Sequence, residues 1–270
     1  MDTIKDIKKL LRDCLMLSKI KRKLEYKRIT KIPRRTKFST NILGSQIVAN
    51  DSASFIAQYN EIFNTEIFKF EKRGLEKVKI IDCGSNIGLS VIYFKKLYPD
   101  AEIIAFEADP KIFELLKSNI KSFGIDNVKL INKAVWINND GVLFRTDKSA
   151  SGRIEFKNSS TTVRVESEDL SEYLNTEVSL LKLDIEGAET TVIPHIAPKL
   201  KRVQRLFFEY HKVAGTEDNL HKLLNGISSE FEEYFIATGN YSKSPFIKRK
   251  NIEGYDHLLN IFAVKSRKVS

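Results

Sequence analysis

Residues 78–107 constrain the fold of this chain more than any other segment. The apolar run 78–81 leads into a turn, 82–88, that begins with an acid and contains two glycines. A segment of helical character follows, and a second apolar run, 103–106, ends in Glu107. Strand, glycine turn, helix, strand and acid, in this order, form the nucleoside-binding unit of α/β proteins. In that unit glycine lets the backbone and the ligand approach closely, and the acid binds ribose hydroxyls.

The spacing of the glycines narrows the class of nucleoside. A dinucleotide fingerprint needs small residues at three positions, which here hold Gly84, Asn86 and Leu89, and two of these are not small. No Gly-Lys-Ser/Thr sequence of a phosphate-binding loop is present either. Gly84 and Gly88, with Asp82 before them, suit a nucleoside without a diphosphate, such as S-adenosylmethionine. The alternative, an ordinary strand-to-helix turn, is disfavoured by the acid that ends each strand.

Strands and helices continue to alternate along the chain, which predicts one α/β domain. Seven strands are predicted, at Lys79–Cys83, Glu102–Phe106, Val128–Ile131, Leu180–Asp184, Arg205–Glu209, Phe231–Ala237 and Leu258–Val264. The turn residues 138–141 predict a hairpin over 135–145. A helix over about 52–63 either packs in the core or covers the ligand pocket. The long polar segment 239–255 is interpreted as a substrate loop.

All of the net charge of +10 comes from the first 37 residues. This segment holds 14 of the 45 Lys and Arg residues and only 4 of the 35 Asp and Glu residues, so the rest of the chain is neutral. Apolar residues recur between the bases at near-helical spacing, at Ile4, Ile7, Leu11, Cys14, Leu15, Leu17, Ile20 and Leu24. Three interpretations stay open: a surface for anionic lipid or a partner, a nucleic-acid-binding arm, and the solvated face of a docked helix.

The sequence predicts a cytoplasmic protein. No apolar run approaches the roughly 18–20 residues that a membrane span needs, and the N-terminus has no uninterrupted apolar stretch of a secretory signal. Cys14 and Cys83 lie far apart, and the second is inside the glycine turn, so both are interpreted as reduced thiols.

Polar residues follow each predicted parallel strand at the point where the strand ends. Ligands of open α/β sheets bind beyond these carboxyl ends, so the residues there are candidates for a site. They are Asp82 after the first strand, Glu107 after the second, Asn132, Lys133 and Ala134 after the third, Asp184, Glu186 and Glu189 after the fourth, and Glu209, Tyr210 and His211 after the fifth. Acids of this group could instead serve only to cap a helix. Lys182 lies inside the fourth strand and needs a carboxylate partner, for which Glu209 is predicted.

His211 is one of only four histidines and directly follows the predicted fifth strand. A histidine there could deprotonate a substrate hydroxyl near neutral pH, although a loop histidine without function is the other interpretation. Asp184 is the second candidate for the general base. No Cys and His cluster predicts a zinc site. The acids could hold a divalent cation, but their spacing is not diagnostic, so no metal ligand is predicted.

Three stretches together resemble the FkbM family of S-adenosylmethionine-dependent methyltransferases. They are Ile80–Gly88, Ile104–Pro110 and Leu181–Glu189, and the Lys-x-Asp-x-Glu-Gly-Ala-Glu run in the third is the most specific. Phe208-Glu209-Tyr210-His211 is similar to a subset of the family. The resemblance covers about residues 55–264 and leaves out the basic N-terminus. Ala108 stands where the family often has proline, which puts little in doubt.

The resemblance implies a Rossmann-like class I methyltransferase fold, with a seven-stranded, mostly parallel sheet, an antiparallel last strand and helices on both faces. The chain then consists of a basic extension (1–37), lead-in strands and a helix (38–77), and a methyltransferase domain (78–266). S-adenosylmethionine is the implied cofactor. Carried over by position, the implied roles are Asp82, Gly84, Asn86 and Gly88 around the methionine end, Glu107 on the ribose, Asn132 and Ala134 near the adenine, and Asp184 and Glu186 at the reacting methyl group.

The expected function is methyl transfer to a hydroxyl of a sugar, a polysaccharide precursor or a natural product. One alternative is an RNA methyltransferase that uses the basic arm, but the chain lacks an Asp/Asn-Pro-Pro-Tyr/Phe motif and its remainder is neutral. Another is a non-catalytic nucleoside-binding module. The basic segment would hold the enzyme at the inner face of an anionic membrane, close to lipid-linked precursors. No pattern predicts an oligomeric state.

Overall fold

Of the polar segment 239–255, interpreted above as a substrate loop, residues 239–254 lie outside the residues whose structure is described. The side chain of Cys14 lies outside them as well. Cys83 is a buried free thiol, in agreement with the prediction. The computed structural model describes residues 2–72, 77–145, 152–154, 162–213, 215–238 and 255–266.

Helices and strands alternate through most of this described part. The helices are α1 (Asp2–Ile29), α2 (Ser52–Tyr59), α3 (Leu89–Leu97), α4 (Pro110–Ser122), α5 (Glu189–Ile196) and α6 (Leu220–Ser228). The strands are β1 (Phe38–Thr40), β2 (Ile47–Ala49), β3 (Lys79–Cys83), β4 (Glu102–Phe106), β5 (Val128–Ile131), β6 (Ala134–Trp136), β7 (Val142–Arg145), β8 (Arg153–Ile154), β9 (Thr162–Val165), β10 (Ser167–Asp169), β11 (Leu180–Leu183), β12 (Arg205–Val213), β13 (Glu233–Ala237) and β14 (Tyr255–Val264). A π-helical turn, Asn60–Asn64, extends α2.

Seven strands form the central sheet in the order β5-β4-β3-β11-β12-β14-β13. The first five are parallel, and β14 is antiparallel to both of its neighbours. Because β3 lies beside β11, the strand order reverses between them, and such a reversal leaves a crevice at the carboxyl ends of the strands. The predicted fold, a mostly parallel seven-stranded sheet with an antiparallel last strand, is confirmed.

Helices cover both faces of this sheet. On one face α2, α3 and α4 contribute Phe55, Phe94 and Leu116 to one apolar cluster. On the other face α5 and α6 contribute Ile193 and Ile227 to a second cluster. All five side chains are almost fully buried. The central strands therefore have apolar neighbours on both faces, which is why they read in the sequence as continuous apolar runs.

The N-terminal helix α1 docks through its last turns. Ile29 is fully buried there, and the Tyr26 hydroxyl and the Asn60 side-chain amide exchange hydrogen bonds of 3.2 and 2.9 Å. Residues 16–24, one to three turns earlier, are all exposed. Within the described residues, no helix combines the length and the apolarity that crossing a bilayer demands.

The predicted hairpin over 135–145 is wrong. β6 pairs in parallel with β10, and β7 pairs instead with β8 and β9. The turn residues are present, but the Ser167 hydroxyl on β10 bonds to both sides of the turn. It donates to the carbonyl oxygen of Asn138 (2.7 Å) and accepts from the backbone N–H of Gly141 (2.9 Å). The two strands thus join different sheets.

Candidate functional site

A cavity of about 330 Å³ opens at the carboxyl ends of β3, β4, β11 and β12. The α2 helix and its π-helical turn cover one side through Ser54, Gln58 and Glu61, and Ile154 and Tyr255 line another. The opposite face of α2 packs in the apolar core. The sequence left core packing and covering of the pocket as alternatives for this helix, and in the structure the helix does both.

The turn after β3 brings three strand ends together through backbone atoms. Gly84 donates its backbone N–H to the carbonyl oxygen of Phe106, at the end of β4 (3.0 Å). Its φ is +82°, and a Cβ at this position would lie 1.9 Å from the carbonyl oxygen of Asp184, beyond the end of β11. Only glycine fits here, because both the dihedral angle and the contact exclude a side chain.

Glu107 is held at the end of β4 with its carboxylate at the cavity. One carboxylate oxygen accepts the backbone N–H of Asn86 and the other accepts that of Asp109, both at 2.9 Å. Asn86, whose φ is +49°, continues the glycine turn, so turn and acid form one unit. Burial raises the pKa of Glu107 to about 7, against the two backbone hydrogen bonds, which lower it. Each oxygen retains a lone pair for a further donor.

Lys182 forms a buried ion pair, but not with the predicted partner. Its ammonium lies 3.1 Å from Oδ1 of Asp82 and donates to the carbonyl oxygen of Gly84 (3.0 Å). Glu209 as partner is therefore wrong. Lys182 is directly opposite Asp82 on β3, whereas its neighbour on β12 is Phe207. Burial alone would lower the pKa of Lys182, but the neighbouring carboxylates outweigh burial and raise it, so this ammonium stays charged.

The loop between β11 and α5 is held from inside by Glu189. This carboxylate is fully buried and accepts the backbone N–H groups of Ile185 and Gly187, each at 2.8 Å. Glu186, between them, has a left-handed φ of +57°, and its carboxylate accepts the Tyr255 hydroxyl (2.8 Å). A non-glycine residue in this conformation is strained, and such strain often marks a functional site.

His211 lies inside β12 and not after it, because the strand continues past the predicted end. The ring is almost fully buried. Its Nδ1 is 3.0 Å from the carbonyl oxygen of Glu209 and 3.3 Å from Oε1 of Glu189. Burial alone would lower the pKa of His211, but the carboxylates of Glu189, Glu186 and Glu209 raise it well above its usual value. A raised pKa favours the protonated ring, which has no free nitrogen lone pair to accept a proton. It therefore argues against His211 as the proton acceptor and in favour of the second candidate, Asp184.

Several carboxylates lie close together at the end of the cavity that contains His211. Burial is the largest cause that raises the pKa of Glu186 to about 7 and that of Glu209 to about 8, and Asp184 adds to both. Burial and Asp184 also raise the pKa of Glu61, whose carboxylate accepts the side-chain amide of Asn260 (2.9 Å). The raised pKa values of Glu186 and Glu209 favour a protonated carboxyl at this end of the cavity near neutral pH.

The predicted site residues divide into two groups. Those that line the cavity are Gly84, Asn86, Glu107, Ala134, Asp184, Glu186 and His211. The others lie behind its wall: Asp82 is buried against Lys182, Gly88 packs under Leu116, and the Asn132 amide donates to the backbone oxygen of Glu107 (2.8 Å).

Among the other lining residues, four polar ones received no cofactor or reaction role from the sequence, although the last of them ended the predicted substrate loop: Lys133, Glu61, Glu209 and Tyr255. Lys133 and Glu209 were recognised at strand ends, and Lys133 is held by Glu168 (2.5 Å). Glu61 precedes the first central strand and Tyr255 begins the last, so the strand-end rule does not include them. An acid on the cavity-facing side of a predicted roof helix is the signal that could have indicated Glu61.

Comparison with known proteins gives a family match. A family model described as the methyltransferase FkbM domain matches residues 82–239. The chain is 26% identical over 140 residues to "Methyltransferase 1" of Beauveria bassiana (strain ARSEF 2860), covering 42% of this chain and 56% of that protein. It is 36% identical over 73 residues to "Methyltransferase sdnD" of Sordaria araneosa, covering 27% of each. The chain thus spans about half or less of the length of these relatives.

Among solved structures, the chain is similar in fold to the methyltransferase FkbM of Methylobacillus flagellatus KT. The TM-score is 0.48 at 14% identity, and the match covers 76% of this chain and 47% of that chain.

Proposed function

Since the chain belongs to the FkbM methyltransferase family, we propose that it transfers a methyl group from its cofactor to an oxygen atom of a small-molecule or glycan acceptor. The cofactor is S-adenosylmethionine. One observation carries the proposal: a single cavity joins Glu107, an acid suited to ribose, with Asp184, Glu186 and His211. The acceptor we propose is a hydroxyl of a sugar, a polysaccharide precursor or a natural product.

The residues at the first end of the cavity fit the cofactor. Glu107 presents a fixed carboxylate with free lone pairs to two hydroxyl donors, as a ribose provides. Gly84 and Asn86 form the neighbouring wall, where the methionine end of the cofactor can approach the backbone closely. Ala134 lines the part of the wall where the adenine would lie. The side-chain amide of Asn132 fixes the backbone at Glu107.

The other end of the cavity, lined by Asp184, Glu186 and His211, supplies the groups that align the acceptor and take its proton. When bound, S-adenosylmethionine provides a methyl group activated by the sulfonium. An acceptor hydroxyl held at this end would bond to that methyl carbon while the carbon–sulfur electron pair returned to sulfur, and a carboxylate of the cavity would take the hydroxyl proton. Alignment of oxygen and methyl group contributes on the order of 7 kcal/mol or more, and a general base about 10²–10⁴-fold in rate.

Asp184 is the proton acceptor that we propose. Its side chain is 33% exposed, more than that of Glu186 at 22%, so a hydroxyl in the cavity reaches it most easily. The ammonium of Lys182 lies 3.7 Å from its carboxylate. Glu186 and His211 position the acceptor beside it, and the α2 roof limits the access of water. An experiment that separates these roles is given in the Discussion.

The docking of α1 leaves an apolar stripe for a membrane surface, which we propose as the second partner. Four large apolar side chains are exposed on it, 44–64% of their surface: Met16, Leu17, Ile20 and Leu24. At 100° per residue they fall within an arc of about 100°. Exposed lysines flank the arc, Lys19 and Lys23 on one side and Lys21 on the other. An apolar stripe between bases is typical of helices that lie on anionic lipid, here at the inner face of the membrane.

Methyl transfer with a labelled cofactor tests the proposed reaction. The full chain is incubated with S-adenosylmethionine carrying an isotopic methyl label and a panel of hydroxylated glycans and natural products, and the products are located by mass spectrometry. The label is expected on an acceptor oxygen, and it should be absent when Glu107→Ala replaces the native chain. Label on nitrogen or carbon would refute oxygen transfer, and a chain that binds neither S-adenosylmethionine nor S-adenosylhomocysteine in calorimetry would refute the whole proposal.

A further inference from the structure

Three groups of metal-ligating type converge beside the proposed reaction centre. One carboxylate oxygen each of Asp184 and Glu186 and a ring nitrogen of His211 all lie within 4.8 Å of one another. The two acids come from the loop after β11, and the histidine comes from the neighbouring strand β12. All three line the cavity.

The histidine is oriented as a metal-binding histidine is. Its side chain is only 3% exposed, and Nδ1 lies close to the backbone oxygen of Glu209 (3.0 Å) and the carboxylate of Glu189 (3.3 Å). Nε2 has its carboxylate neighbours at 3.5 Å (Glu186) and 3.7 Å (Glu209), longer than an ordinary hydrogen bond. A carbonyl or carboxylate on one ring nitrogen commonly fixes the other toward a metal ion.

The surrounding charge also favours a cation. Four carboxylates line this end of the cavity: Glu61, Asp184, Glu186 and Glu209. Lys182 lies 3.7 Å from Asp184, but its ammonium is already engaged by Asp82 and the carbonyl oxygen of Gly84. Burying several like charges together is unfavourable unless a proton or a cation compensates for them.

We propose that Asp184, Glu186 and His211 bind one divalent first-row metal ion. Imidazole suits transition metals and carboxylate suits Mg²⁺, Ca²⁺ and Mn²⁺, so the mixed set favours Mn²⁺ as the probe. Metal–oxygen bonds of about 2.1 Å place neighbouring ligand atoms about 3 Å apart, so the three side chains must close by an ångström or more. Asp184 and Glu186 lie in a partly exposed loop, and their side chains would supply this movement.

The role of the ion rests on the proposed function, whereas its binding does not. An ion there would hold the acceptor hydroxyl beside the methyl group and lower the pKa of that hydroxyl. Asp184 would offer the ion one carboxylate oxygen, and its other oxygen would accept the hydroxyl proton, as in the proposed reaction. The acceptor would then be one that offers two neighbouring oxygens, such as a vicinal diol.

Electron paramagnetic resonance of Mn²⁺ tests the site without any methyl transfer. Titrating the full chain should remove the signal of free Mn²⁺ with one ion per chain. Asp184→Asn, at a partly exposed position, should weaken binding at least 10-fold, and His211→Gln should do the same. Glu114→Gln, an exposed carboxylate on α4, is the matched control and should bind normally. Absence of one-to-one binding, or equal binding by Asp184→Asn and the native chain, would overturn the proposal.

Calorimetry with S-adenosylhomocysteine on the same samples separates this inference from the proposed function. Binding of the nucleoside without Mn²⁺ binding refutes the metal site and leaves the methyltransferase proposal standing. Binding of Mn²⁺ without the nucleoside supports the metal site and refutes the methyltransferase proposal.

Discussion

Lys182 and Asp82 sit opposite each other on adjacent parallel strands, with Nζ 3.1 Å from Oδ1 and both side chains at most 4% exposed. The second oxygen of Asp82 accepts the Ser90 hydroxyl at 2.5 Å, which ties the pair to α3. Oδ1 has no aligned hydrogen bond within the described residues, so its contact with Lys182 is electrostatic. The pair lies beneath the glycine turn, and Lys182 reaches up to the carbonyl oxygen of Gly84. It therefore connects the stability of the sheet to the shape of the site.

Removing one member of this pair should destabilise the protein strongly. Lys182→Met leaves Asp82 charged and buried, and Asp82→Asn leaves the ammonium uncompensated, so each should lower the free energy of unfolding by about 3–5 kcal/mol. The double variant should lose less than the sum of the two, because neither charge is left alone. Lys79→Met, on the partly exposed start of β3, is the control and should change stability by less than about 1 kcal/mol. Urea unfolding followed by circular dichroism measures all four, and additive losses would contradict the coupling.

Gly84→Ala should be more damaging than a substitution at an equally left-handed glycine. Both Gly84 (φ +82°) and Gly124 (φ +63°) would be strained by a side chain, but a Cβ meets the Asp184 backbone at 1.9 Å only at Gly84. Gly124→Ala should cost about 1 kcal/mol. Gly84→Ala should cost at least about 2 kcal/mol more, because the backbone at Asp184, just beyond β11, must move. Similar melting temperatures for the two variants would show that the strand ends do not meet as closely as described.

Cofactor affinity should rise with pH through the titration of Glu107. Its pKa, raised to about 7 mainly by burial, leaves it mostly protonated at pH 6 and mostly ionised at pH 8. An ionised carboxylate is the stronger acceptor for ribose hydroxyls, so S-adenosylhomocysteine should bind roughly 10-fold more tightly at pH 8 than at pH 6. Calorimetry at both values measures this. Glu107→Gln should bind weakly at both, and exposed Glu102→Gln should keep the native dependence, so a pH-dependent Glu107→Gln would point to another group.

His211→Gln should lower turnover without loosening the cofactor. The ring contacts Glu186, Glu189 and Glu209 and lies at the acceptor end of the cavity, so kcat should fall at least 10-fold while the Kd for S-adenosylhomocysteine stays within about 2-fold. The exposed His221 on α6 offers a matched His→Gln control with native kcat. An unchanged kcat in His211→Gln would remove this residue from the reaction.

Local signals carried most of the fold prediction. The bounds of β3 and β4 agree with the predicted strands because each is an apolar run closed by an acid and a turn, and both features are local. The hairpin over 135–145 was mistaken because pairing is a tertiary choice: the turn residues fit, but Ser167 on β10 satisfies the turn, and β7 finds other partners. Turn chemistry therefore identified where the chain bends and not which strands meet.

The site was predictable where strand ends define it and not where distant elements complete it. Glu107 and Asp184 follow their strands directly, so the sheet edge brings them together. Glu61 reaches the cavity only through the π-helical turn and is fixed by Asn260, 199 residues away. The partner of Lys182 depended on strand order as well, because the β3 neighbour and not the β12 neighbour presents a carboxylate at its level. The spacing of residues along the chain predicts neither the contact of Glu61 with Asn260 nor the pairing of Lys182 with Asp82.

The apolar stripe of α1 should bind anionic membranes through both its apolar and its basic residues. In liposome flotation, the native chain should float with vesicles that contain anionic lipid and stay behind with neutral vesicles. Each lysine near such a surface contributes about 1 kcal/mol, so Lys19→Glu with Lys23→Glu should weaken binding by roughly 30-fold or more. Ile20→Ser with Leu24→Ser should abolish flotation without unfolding, because both side chains are exposed. Exposed Lys111→Glu on α4 should float as the native chain does. If the apolar variants instead alter the oligomeric state and leave flotation intact, the stripe covers a second copy of the chain and not lipid.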